Sequence, residues 1–236
     1  MPDPHIIDAH TTLLCSKASL PIESAWFTAE YWQKKHALTG TGHGRGEVWF
    51  IDSEFGKFVM RRYRRGGLIA KFNKDAFLFT KPTNTRPWQE LSLLETMIDL
   101  GLPVPQPVAG IYQKKWGFYR AHLLTQTIAN ATDLFDILKA GESDTLDWKN
   151  IGAVIKQFHQ HGIYHSDLNC HNIMIDDQNK IWLIDFDKCE QRAIKEEWTQ
   201  GNLDRLKRSL DKESQLHTNF NVSDAQWRDL LEGYRG

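Results

Sequence analysis

The chain has 236 residues, 41% of them hydrophobic and 25% charged, with a formal net charge of −1. That length buries a core as one domain or as two small lobes, and no global field draws the protein to nucleic acid or membranes, so any such attraction must come from a local patch. Cys15, Cys170 and Cys189 are too few and too scattered for a disulfide framework, which points to a reducing compartment.

The opening MPDPHIIDAH has no basic-then-apolar leader and no apolar run reaches bilayer length, so the expected place is the cytosol or the cytosolic side of a membrane. Residues 1–26 carry little pattern beyond short strands near Ile6 and Leu13. Residues 27–38 (FTAEYWQKKHAL) read as a helix ending at the glycines that follow. Gly40, Gly42, Gly44 and Gly46 then alternate through TGTGHGRGEVWFID into a strand over 47–52. Glycine lets backbone N–H groups approach phosphate without an intervening Cβ, so Gly42, Gly44 and Gly46 are expected to cover a nucleotide; a plain flexible loop is the alternative.

A turn at 53–56 leads to the alternating strand KFVMRRY (57–63), which points Arg61 and Arg62 to opposite sides. Arg64, Arg65, Lys71 and Lys74 keep the chain basic through RRGGLIAKFNK. This run is either a solvated face or an anion site for an acceptor or lipid headgroups, with Leu68, Ile69 and Phe72 able to touch an interface. Asn84, Thr85, Arg86 and Pro87 start a helix carrying Glu90, Leu91, Leu94 and Ile98, and Gly101 with Pro103 ends it. Strands are predicted over 104–108 and 117–125. The polar stretch 125–130 reads as a hinge, where adenine would meet backbone groups, dividing an N-lobe (1–124) from a C-lobe (125–236). Helices are predicted from Thr132 and after the cap Asp147, the second with Ile151, Val154, Ile155 and Phe158 on one face and Gly162 past its end.

The most informative stretch is 164–187, YHSDLNCHNIMIDDQNKIWLIDFD. Asp167 precedes Asn172 by five residues, and an apolar run, a polar turn at 176–180, a second apolar run and Asp185 follow. Two short strands closing as a hairpin carry Asn172 and Asp185 to one end of the ribbon, beside Asp167. Two carboxylates and an amide oxygen are hard ligands suited to Mg²⁺. The order matches a phosphoryl-transfer set, in which an aspartate receives the acceptor hydroxyl proton and an asparagine and a second aspartate hold metal. In that pattern Arg61 takes the place of the strand lysine on the α/β-phosphates, and Glu90 is its ion-pair partner. A surface glutamate near a helix N-terminus is the alternative for Glu90. His159, His161, His165 and His171, with Cys170, lack paired zinc spacing, and His165 is expected to shape the loop by packing and hydrogen bonding. About fifty residues follow Asp187 and read as amphipathic helices over 202–210 (NLDRLKRSL) and 223–234. With no A-P-E sequence and no room for a long activation segment, a small molecule or glycolipid is expected as acceptor rather than a protein.

Together, TGTGHGRGEVWF, FVMRRYRRGG, RPWQE, IYHSDLNCHNIMID and IWLIDFDKC resemble the 3-deoxy-D-manno-octulosonic acid (Kdo) kinase family, from about Thr39 onward. The resemblance implies an α+β, protein-kinase-like two-lobe fold, with a β-rich N-lobe holding one key helix and a mainly helical C-lobe. It implies transfer of the ATP γ-phosphoryl to the 4-hydroxyl of Kdo on Kdo-lipid IVA, with Mg²⁺, by a peripheral protein at the anionic cytosolic face of the inner membrane. Carried onto this sequence, Asp167 is the catalytic aspartate, Arg61 and Glu90 the phosphate-side pair, and Asn172 and Asp185 the metal ligands. Arg64, Arg65, Asn169 and Asp187 are candidates for the acceptor. Ser166 stands where protein kinases have the arginine of H-R-D, and Asp187 where D-F-G has glycine. A heptose or other small-molecule kinase, and a nucleotide-binding module without turnover, are the competing readings. No nucleic-acid motif is present.

Overall fold

Alternating apolar residues and tight turns build the first part of the chain into an antiparallel sheet. The computed structural model describes residues 1–17, 20–42, 48–64 and 75–236. The chain forms two units, Met1–Thr96 with Pro105–Thr127, and Met97–Val104 with Ile128–Gly236.

The first unit holds β1 (Asp3–Ile6), β2 (Thr11–Cys15), α1 (Ala29–Lys34), β3 (Leu38–Gly42), β4 (Val48–Ser53), β5 (Gly56–Arg62), β6 (Phe77–Leu78), α2 (Arg86–Asp99, whose last turn clusters with the second unit), β7 (Pro107–Lys115) and β8 (Phe118–Gln126). The strand order is β1-β2-β7-β8-β5-β4-β3, with β6 paired to β8. The helix expected over 27–38 is broken up. A 3₁₀ turn spans Ser24–Phe27, α1 is six residues long, and Leu38 already begins β3. Burial is the reason. Trp26 and Trp32 meet edge to face with centroids 5.1 Å apart, and the Trp32 indole N–H donates to the Trp26 carbonyl at 2.6 Å. Seating both indoles against Phe58, Met60, Ile111 and Leu124 requires the chain to reverse at His36, where φ is +54°. The strand expected from Val104 begins at Pro107 instead, because Pro103 and Pro105 remove ladder donors. Helix α2 lies close on β7. A Cβ on Gly110 would sit 2.7 Å from Pro87 Cβ, so glycine permits that approach.

The second unit holds β9 (Thr132–Asp133), α3 (Leu134–Lys139), α4 (Trp148–Gln160), β10 (Ile163–Tyr164), β11 (Ile173–Ile175), β12 (Ile181–Leu183), β13 (Glu190–Gln191), α5 (Glu196–Leu216) and α6 (Asp224–Arg235). Asp147 caps α4 by accepting from the Asn150 N–H, and Ser223 with Gln226 forms a reciprocal capping box on α6. Helices α4 and α6 cross backbone to backbone: a Cβ on Gly152 would lie 1.9 Å from the Leu230 carbonyl oxygen, and one on Gly233 1.9 Å from that of Lys149. The α4 apolar face buries Ile151, Ile155 and Phe158.

Candidate active site

In the first unit, strand alternation separates the two arginines of β5. Arg61 Nη2 donates to Glu90 Oε1 at 2.5 Å, and Tyr63 Oη donates to Glu90 Oε2 at 2.8 Å. Glu90 is only 4% exposed, so its charge rests on these donors rather than on water. Arg62, on the opposite side, pairs with Asp75, which also accepts from Arg120 Nε at 2.8 Å. Gly42 ends β3, and Arg64 follows β5 half-buried. Gly44, Gly46, Arg65, Leu68, Ile69, Lys71, Phe72 and Lys74 lie outside the described residues.

In the second unit, β11 and β12 close as a hairpin with Ile173 opposite Leu183. Asp176 holds the turn, its carboxylate accepting from the Gln178 and Lys180 N–H groups and from Trp182 Nε1. The hairpin sets the Ile184 N–H on the Asn172 carbonyl at 3.0 Å, bringing Asn172 beside Asp185. The amide of Asn172, 8% exposed, donates from Nδ2 to the Asp167 carbonyl at 2.9 Å, which ties the third residue to the other two. With Nδ2 so engaged, Oδ1 is the atom Asn172 offers to a cation. Asp185 adopts φ +62°, an uncommon backbone state for a residue with a Cβ, and its Oδ1 accepts from the Asp187 N–H at 3.4 Å.

The loop is held from beneath. His165, 2% exposed, donates from Nε2 to the Ile184 carbonyl at 3.0 Å, and its Nδ1 accepts from the Asp167 N–H at 3.2 Å. Both roles at once require the neutral imidazole, and burial lowers the pKa accordingly. Phe186 packs on His165 (centroids 5.0 Å) and on Phe158 (6.0 Å), anchoring the residue after Asp185.

Other candidates have structural occupations. Asn169 donates from Nδ2 to the Asp167 carbonyl at 3.0 Å and accepts from the His171 N–H at 2.8 Å, so its amide shapes the loop. The Asp187 carbonyl accepts from Ser166 Oγ at 2.8 Å. Burial pushes the Cys170 thiol up to about 11, and the thiol lies against Ser209 Oγ at 3.2 Å, so it stays protonated at neutral pH.

Two residues of α5 escaped the sequence reading. Asn202, 2% exposed, donates from Nδ2 to the His165 carbonyl at 2.9 Å, and its Oδ1 accepts from the His165 N–H at 3.2 Å and from His159 Nε2 at 3.2 Å. Arg205 donates from Nε to Asp167 Oδ1 at 2.8 Å and approaches the same oxygen through Nη2. The available signal was their i, i+3 spacing next to the leucines of NLDRLKRSL, which sets both toward the side that packs.

His159 beside Asn202 gives a pH test. Burial pushes its pKa down to about 4, with the Asn202 hydrogen bond opposing and His165 assisting. The unfolded imidazole, near 6.5, binds a proton that the folded one refuses, so this stability is full above pH 6.5 and is lost as pH falls toward 4. Denaturant melts should lose about 3 kcal/mol across that window from this group, and His159→Gln should flatten the slope. Equal slopes would refute the assignment.

The model of the lipopolysaccharide kinase (Kdo/WaaP) family matches residues 29–234. The chain belongs to that family. Similar proteins named 3-deoxy-D-manno-octulosonic acid kinase include one from Vibrio vulnificus (strain YJ016), 42% identical over 212 residues, 90% of this chain and 89% of the relative. Another, from Mannheimia succiniciproducens, is 42% identical over 223 residues, 91% of this chain and 92% of the relative. A third, from Vibrio cholerae, is 44% identical over 184 residues, 78% of each. The antiparallel sheet bearing Arg61, the helix α2 bearing Glu90 and the helix-rich second unit bearing Asp167, Asn172 and Asp185 make the mixed architecture of a kinase-like family member.

Proposed function

We propose that this protein transfers the γ-phosphoryl group of ATP to the 4-hydroxyl of Kdo on Kdo-lipid IVA, a step of lipopolysaccharide inner-core assembly. The observation that carries the reading is the tie of Asn172 Nδ2 to the Asp167 carbonyl, together with the Ile184 N–H to the Asn172 carbonyl, at the end of a hairpin running into Asp185. In the proposed chemistry Asp167 takes the acceptor proton as the hydroxyl oxygen bonds to the γ-phosphorus and the β–γ bridging P–O bond breaks, releasing ADP. Arg61, anchored by Glu90, would neutralise α/β-phosphate charge, with backbone of the Gly42, Gly44 and Gly46 stretch covering the nucleotide. Asn172 Oδ1 and the Asp185 carboxylate suit Mg²⁺, since both are hard oxygens while the nearby imidazole of His165 is committed on both nitrogens. When bound, that ion would offset phosphate charge during transfer. Radiolabelled-ATP transfer to Kdo-lipid IVA, with heptosylated acceptors for comparison and Asp167→Ala as control, tests the reading. Turnover confined to a heptose acceptor would replace it with a heptose kinase.

The acceptor would be met at the cytosolic face of the inner membrane. No helix among the described residues is long and apolar enough to cross a membrane. The β7–β8 hairpin, however, turns through Trp116 and Gly117 at positive φ and leaves Trp116 89% exposed. Leu78 and Phe118, a cross-strand pair, are exposed beside it, and Lys115 Nζ lies 4.8 Å from the indole centroid. An indole with flanking lysines suits an anionic headgroup layer. Trp116→Glu is expected to weaken co-sedimentation with phosphatidylglycerol vesicles about tenfold while sparing ATP binding; unchanged sedimentation would remove the hairpin from this account.

A further inference from the structure

Helix α5 contributes more than Asn202 and Arg205. A cavity of about 570 Å³ opens along its first half, lined by Ser166, Arg192, Lys195, Gly201, Arg205 and Arg208 among others. Four cations therefore face one carboxylate of the lining, Glu197. They are not equivalent. Arg205 is committed to Asp167. Arg192 is held flat, its guanidinium carbon 3.3 Å from the Tyr164 ring centroid and 5.4 Å from that of Trp198, with Nε 3.5 Å from Glu190 Oε1. A stacked guanidinium keeps its in-plane donors directed outward, the geometry that receives an oxyanion. Lys195 and Arg208 are exposed and make no ion pair among the described residues. With Arg205 and Arg192 each facing a carboxylate, Lys195 and Arg208 are the charges that an incoming anion would relieve.

Gly201 is the second observation. It lies inside a 21-residue helix, where glycine is among the poorest formers, yet a Cβ there would meet nothing within 4 Å. Gly110, Gly152 and Gly233 are each required by a close neighbour; Gly201 is not. Its missing side chain enlarges the basic cavity one helical turn before Arg205.

We infer that this cavity is the subsite for an oxyanion of the acceptor, with Arg192, Lys195 and Arg208 as its ligands beside the Arg205–Asp167 pair. The inference rests on the proposed kinase reading and names where the acceptor's charge is held. Because the cavity and Asp167 belong to one unit, a bound oxyanion stands in fixed relation to the aspartate that receives the hydroxyl proton. The anion is either the carboxylate of the sugar acid being phosphorylated or a phosphate of its lipid disaccharide; both present paired oxygens to a guanidinium.

The test is steady-state kinetics of the full chain with Kdo-lipid IVA, its sugar methyl ester and its dephosphorylated lipid. Lys195→Gln with Arg208→Gln is expected to raise the acceptor KM by about tenfold per charge removed, leaving the ATP KM and melting temperature in place. Arg208→Lys should recover part of the loss. Gly201→Leu should raise the acceptor KM while leaving the fold intact, since its side chain enters the cavity rather than a packed interface. Lys149→Gln, which removes a surface cation paired with Glu232, is the charge control. If the carboxylate is the bound group, the methyl ester should abolish the difference between wild type and the double variant; if a phosphate is, the dephosphorylated lipid should. An unchanged acceptor KM in the double variant or in Gly201→Leu, or a difference that survives both acceptor changes, would overturn the subsite while leaving the kinase reading intact. Failure of the wild type to use Kdo-lipid IVA at all would overturn both.

Discussion

Replacing Asp167 with asparagine is expected to lower kcat by roughly 10³-fold, with the KM for ATP nearly unchanged. The side chain keeps its shape, and the main-chain carbonyl that receives Asn169 and Asn172 is untouched, so the loop should hold. What disappears is a carboxylate able to take the acceptor's proton. Arg205 loses its carboxylate partner at the same time, and its five donors cannot be satisfied equally by a neutral amide. Single-turnover measurements with saturating ATP and Kdo-lipid IVA separate chemistry from binding. A loss under tenfold would mean that the hydroxyl proton leaves by another route, and Asp167 would then be a positioning residue.

Arg61→Met is expected to act on both stability and nucleotide affinity. Glu90 is 4% exposed and would retain a buried carboxylate without its guanidinium, a change that costs about 3 kcal/mol in comparable buried pairs. Tyr63 Oη still donates to that carboxylate, which keeps the loss toward the lower end of the range. The ATP kcat/KM should fall about 100-fold, because the cation proposed for the α/β-phosphates is gone. Arg61→Lys discriminates between charge and shape. If a point charge suffices, lysine restores most of the affinity; if the fork to Glu90 matters, it does not. Glu90→Gln should be milder than Arg61→Met, since the charge it leaves unpaired is the guanidinium, 22% exposed, rather than a carboxylate whose side chain is 3% exposed. Melting temperatures equal to wild type in all three variants would show that the pair carries no stability.

Residues governed by local rules are legible along the chain itself. Asp167, Asn172 and Asp185 fall within one loop and one hairpin, and alternation with a turn at Asp176 brings the ends of that hairpin together whatever surrounds it. Arg61 and Arg62 separate for the same reason, since consecutive strand residues face opposite ways. The helix boundaries around Trp26 and Trp32 are not legible in that way, because two indoles seeking one core override the local preference that continues a helix through 27–38. The bond that Asn169 accepts from the His171 N–H is not legible either, because a short polar side chain in a loop serves its own backbone as readily as a ligand.

By itself, then, the order of residues determined that Asp167, Asn172 and Asp185 come together, for they are joined by hydrogen bonds spanning a handful of positions and by one hairpin register. Only the tertiary structure decided what steadies and charges it. Arg205 reaches Asp167 across 38 positions and Asn202 reaches His165 across 37, contacts made when α5 packs under the loop. The cavity joining Arg192 to Arg208 arises in the same way. No periodicity announces such meetings, because they depend on where a whole helix is seated rather than on the spacing of neighbours along the chain.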